Sequence, residues 1–93
     1  MTLRADESRV DGHWELRDGR MVGDAACERV EKLITKHLER IAADASGWDT
    51  LYRDPQDGRY WELVYLHSEM HGGGPPSLIQ VDKEAIKAKY GLD

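Results

Sequence analysis

The run from Trp48 to Leu66 constrains this chain more than any other segment. It is rich in aromatic and β-favouring side chains, and Asp54-Pro55-Gln56-Asp57-Gly58 interrupts it. Proline presets φ for a turn and glycine accepts a positive one, so the run reads as a hairpin. If Arg53 pairs opposite Arg59, Leu51 faces Trp61 and Trp48 faces Val64. One sheet face then carries Leu51, Trp61, Leu63 and Tyr65, and the other carries Trp48, Tyr52, Tyr60 and Val64, with Thr50 and Glu62 between. A one-residue slip would exchange the faces. Both faces are partly apolar, so a single helix cannot cover the hairpin, and the second face must meet the other hairpin, the last helix or a partner.

The cover for one face is legible. Asp24 opens the strongest helical pattern, where its carboxylate can accept from free N–H groups of the first turn. Cys27, Val30, Leu33, Ile34, Leu38 and Ile41 follow on one stripe at helical spacing. Ser46-Gly47 is the expected stop, with Gly47 in a left-handed cap. About 18 helical residues would reach ~27 Å. Before this helix, Asp18-Gly19 between Trp14-Glu15-Leu16 and Arg20-Met21-Val22 signals a first, tight hairpin. After the second hairpin, Gly72-Gly73-Gly74-Pro75-Pro76 breaks the chain. Leu78 to Val81 reads as another strand, and Asp82 caps a short last helix that Gly91 ends. The expected fold is α+β: an antiparallel sheet of roughly four or five short strands, one long helix across it, and a short C-terminal helix.

Length sets the scale. With 93 residues, one domain over 1–93 is expected, with residues 1–9 a frayed, flexible lead. A chain of this size buries roughly 60–65% of its unfolded surface, enough for one core and little enclosed cavity. The single cysteine excludes an internal disulfide. No apolar run near the start suggests a signal peptide, and none reaches the ~20 residues a membrane helix needs, so a cytoplasmic protein is expected. A net charge of −5, from 18 acidic and 13 basic residues, argues against nucleic acid and suits a basic partner.

Candidate chemistry is sparse. His67, Glu69 and His71 could converge on a metal if extended, but three glycines follow them, and a solvated loop is the simpler reading. The glycines lack the lysine and helix of a phosphate loop. Cys27 sits on the apolar stripe and reads as a buried small hydrophobe. No nucleophile–base spacing and no assignable acid–base pair stand out, so no catalytic residue, cofactor or metal is expected.

The stretch from Trp14 to Tyr90 also carries a resemblance. Its residues are Trp14-Glu15-Leu16 with Asp18-Gly19, Asp24, Cys27-Glu28-Arg29, Gly47-Trp48-Asp49, the run Leu51-Tyr52-Arg53-Asp54-Pro55, Asp57-Gly58-Arg59-Tyr60-Trp61-Glu62-Leu63, Tyr65, and His71 with the glycine–proline block. Together they resemble the immunity protein 27 family of bacterial polymorphic toxin systems. That family often has proline after the tyrosine of the second strand, whereas Leu66 follows Tyr65 here. The resemblance implies a protein encoded beside a secreted toxin that binds and blocks that toxin in the producing cell. It implies no catalytic residue. The partner expected is therefore a cognate toxin protein, a basic one matching the charge best. The expected binding surface is the second hairpin and the loop after it: Tyr52, Tyr60, Glu62, Glu69 and His71. A small metal-dependent enzyme and a structural adaptor remain as alternatives.

Overall fold

The computed structural model describes residues 2–65 and 74–92. Seven strands and two helices follow in the order β1 (Arg9–Asp11), β2 (Trp14–Arg17), β3 (Arg20–Gly23), α1 (Ala25–Lys36), β4 (Glu39–Ala43), β5 (Thr50–Arg53), β6 (Tyr60–Val64), β7 (Ser77–Val81) and α2 (Lys83–Tyr90). Five strands form one antiparallel sheet in the order β1-β7-β6-β5-β4, and β2 and β3 form a separate hairpin. The fold is α+β. None of the described helices is long and apolar enough to cross a membrane.

Local signals place several elements as expected. Asp18 and Gly19 take φ of 52° and 79°, the two positive values a tight primed turn requires. Asp24 caps α1 by accepting from the Cys27 amide at 3.0 Å, and Asp82 caps α2 by accepting from Ala85 at 2.8 Å. Gly91 ends α2 in the left-handed region, its N–H donating to the Lys87 carbonyl.

The long helix is shorter than its stripe suggests. It ends at Lys36, where the N–H groups of His37 and Leu38 share the Leu33 carbonyl at 3.1 and 2.7 Å. Leu38 and Ile41 continue the helical spacing, yet residues 39–43 extend as β4 along the edge of β5. Length explains the outcome. Twelve helical residues span roughly 18 Å, matching strands of four or five residues at roughly 17 Å, whereas the expected ~27 Å helix would overhang the sheet. Gly47 does adopt a positive φ, of 78°, but in the β4–β5 turn, where its N–H donates to Asp44.

The β5–β6 register differs by one residue from the expectation. Tyr60, not Arg59, pairs with Arg53, and Tyr52 lies opposite Trp61. Asp54 joins the ladder through its N–H to the Arg59 carbonyl at 2.8 Å, which leaves a four-residue loop. Leu51 and Tyr52 accordingly exchange faces. Tyr52, Trp61, Leu63 and Leu78 pack with Val30, Leu33 and Leu38 beneath α1. Leu51, Tyr60, Glu62 and Val64 face the other way, toward α2, whose Ile86 is buried there.

Residues 2–9, expected as a frayed lead, are tied to the body. Leu3 enters the core, and two arginines hold the segment. Arg59 donates to the carbonyls of Glu7 and Arg4 while its guanidinium lies 4.9 Å over the Trp61 ring. Arg29 makes two 2.6 Å bonds to the Glu7 carboxylate. Those bonds are the main reason the Glu7 pKa falls from 4.5 to about 2. A depressed carboxyl pKa stabilises the fold above its unfolded value near 4.5, and that contribution is lost as pH falls toward about 2. Glu7→Gln should therefore lower stability at pH 7 by about 1–2 kcal/mol and flatten the loss between those pH values. Denaturant titrations at pH 7, 4 and 3 check this; parallel acid limbs in parent and variant would refute it.

Candidate functional site

The residues expected to bind a partner do not share one surface. Tyr52 is 8% exposed, opposite Trp61 in the core under α1, and that burial raises its phenol pKa. Tyr60 and Glu62 lie on the opposite face of the sheet. Glu62 is occupied there: its Oε2 accepts from the Tyr90 hydroxyl at 2.7 Å and lies 2.8 Å from Lys89 Nζ. Lys89 in turn donates to Asp49 at 2.6 Å. Burial, then the Glu62 bond, pushes the Tyr90 hydroxyl pKa up, so the phenol stays a donor. This network pins α2 to the sheet. Glu69 and His71 lie outside the described residues, as does His67 of the candidate metal trio. Among the described residues no group of three His, Cys, Asp or Glu side chains is placed to hold a metal ion.

An aspartate–histidine contact occurs elsewhere. His37 Nε2 sits 3.0 Å from Asp54 Oδ1, without a hydrogen bond's alignment. Asp54 is 1% exposed and its Oδ1 accepts from the Gln56 amide at 2.8 Å. A carboxylate so enclosed shapes the turn from within rather than meeting a substrate.

Of the exposed large apolar side chains, Ile41 and Leu92 line a shallow groove with Tyr60 and Ile86, and the three most exposed lie elsewhere. Leu16 and Met21, directly opposed across the β2–β3 hairpin, are 71% and 62% exposed. Trp48, in the β4–β5 turn, is 64% exposed and meets Tyr65 edge to face at 6.5 Å. Between hairpin and α1 lies a groove of about 480 Å³ lined by Trp14, Cys27, Ile34, Tyr65 and Pro76, with Glu28 and Glu31 among its walls.

This groove depends on a close approach. Asp24 caps α1 and also accepts from the His13 amide at 3.2 Å, so one carboxylate joins helix and hairpin base. A Cβ on Gly23 would lie 2.8 Å from Cys27 Cβ, and one on Gly12 would lie 2.5 Å from the Pro76 carbonyl oxygen. Only glycine fits both places. Cys27 is buried against them, as its place on the stripe suggests, and burial raises its thiol pKa. The turn at Asp18-Gly19 already dictates that Leu16 opposes Met21, a signal that counting aromatic residues passes over.

The Glu62 network makes its own prediction. Glu62→Ala should destabilise the protein by about 1–2 kcal/mol and raise amide exchange across residues 83–90 more than across α1. Hydrogen exchange measured by mass spectrometry checks it; α2 protection equal to the parent's would contradict the assignment.

Among known protein families, the model described as immunity protein 27 matches residues 16–82, most of the chain. No curated protein and no solved structure matches.

Proposed function

The chain belongs to the immunity protein 27 family, and from that membership we propose that it binds a cognate bacterial toxin one to one and neutralises it. The family match carries the reading. It takes in the first hairpin from Leu16 onward, α1 and strands β4 to β7, which make up most of the sheet and of the groove's walls. Neutralisation by binding asks for a rigid body with exposed contact surface. The sheet between two helices supplies the first, and Leu16, Met21 and Trp48 supply apolar side chains for the second. The net charge of −5 speeds encounter with a basic toxin, because opposite charges steer association.

Blocking by contact has a stoichiometric signature. The test is to titrate the purified chain into the toxin domain encoded beside its own gene and to measure residual toxin activity. Inhibition should saturate near equimolar chain and reverse when the complex is dissociated. Lasting inactivation of many toxin molecules by one copy of the chain would show catalysis and overturn the proposal.

A further inference from the structure

We infer that the toxin is gripped at the β2–β3 end of the molecule, by an apolar strip with an acidic rim that fits a basic protein segment presenting an apolar side chain. This inference rests on the immunity reading and specifies where and what that reading binds.

The hairpin spends apolar side chains where folding gains nothing from them. Leu16 and Met21 are an opposed pair near the turn, and both remain largely in water. Single exposed apolar residues are ordinary, but this pair continues into a groove. Trp14 lies two residues before Leu16, so it shares the pair's face of the hairpin, and it lines the groove wall. Ile34 carries the strip on along α1.

Charge selects the occupant. Glu28 and Glu31, three residues apart on α1, are exposed at the groove and have no ion-pair partner among the described residues. Some other carboxylates are engaged, Glu7 by Arg29, Asp57 by Arg59 and Glu62 by Lys89, whereas Asp18 and Glu84, which do not line the groove, have no ion pair among the described residues either. Two carboxylates beside an apolar strip, without an ion-pair partner among the described residues, favour lysine or arginine flanking an apolar anchor. They repel a phosphate backbone or an anionic lipid surface. A symmetric second copy would bring the same carboxylates to the same contact.

The experiment is calorimetric titration of the toxin domain encoded beside this gene, inactivated at its active site, into the parent chain and two variants. Leu16→Ser with Met21→Ser removes the apolar pair, and Glu28→Lys with Glu31→Lys reverses the rim. All four positions are exposed, and circular dichroism confirms that each variant is folded. The account expects the serine variant to bind at least tenfold more weakly with the parent's salt dependence. The lysine variant should also bind at least tenfold more weakly and lose most of that salt dependence. If the parent binds and both folded variants bind within twofold of it, the grip lies elsewhere and the inference fails while the immunity reading stands. If the parent does not bind at all, the immunity reading fails and this inference with it. A parent dimer in sedimentation that the serine variant abolishes would make the strip a self-contact and overturn the assignment.

Discussion

The pairing of Asp54 with Arg59 decides most of this structure. The Asp54 N–H donates to the Arg59 carbonyl, its own carbonyl accepts from Gly58, and its carboxylate accepts from Gln56, all at 2.8 Å. Gly58 makes the turn possible with φ of 80°. Once 54 opposes 59, Tyr52 must oppose Trp61 and Leu51 must oppose Glu62. A slip of one residue would turn the buried Leu51 and Tyr52 toward each other's faces and leave each helix over the wrong side chains. The same aspartate lies 3.0 Å from His37, so the turn also meets the point where α1 ends.

Two helices on opposite faces follow from that register. The α1 face is an apolar core with Trp61, Leu33 and Leu78 wholly buried. The α2 face is mixed. Leu51 and Ile86 are buried there, but Glu62, Tyr90, Lys89 and Asp49 supply a polar clamp. Hydrogen bonds of this kind hold a short helix whose apolar face is small. The outer edge at β4 carries Glu39, Arg40 and a register shift before Ala42, which discourages further strand pairing.

How much of this the sequence discloses depends on the range of the forces involved. Asp24, Asp82, Gly91 and Asp18-Gly19 act on their immediate neighbours and can be read directly from the chain. Strand β4 cannot, because Leu38 and Ile41 satisfy helical spacing equally well and only the edge of β5 makes extension preferable. Strand β1 and the docked lead depend on β7 and on Arg29 and Arg59, far away in sequence. The candidate surface is hardest to read. Tyr52, Tyr60 and Glu62 look alike as hairpin residues, yet a one-residue register difference buries Tyr52 under α1 and leaves Glu62 clamping α2. The immunity family, by contrast, is legible from the residues between Trp14 and Tyr90, and its model matches 16–82.

The three tryptophans divide the labour of the chain. Trp61 is wholly buried and builds the core, whereas Trp14 lines the groove and Trp48 is exposed beside Tyr65. Their indole N–H groups therefore report on fold and contact separately. The most direct measurement is a nuclear magnetic resonance titration of the ¹⁵N-labelled chain with the inactivated toxin domain, following the three indole signals. The account predicts that the Trp14 and Trp48 signals shift on binding while Trp61 keeps its position. Binding that moves Trp61 and leaves Trp14 and Trp48 unchanged would contradict it.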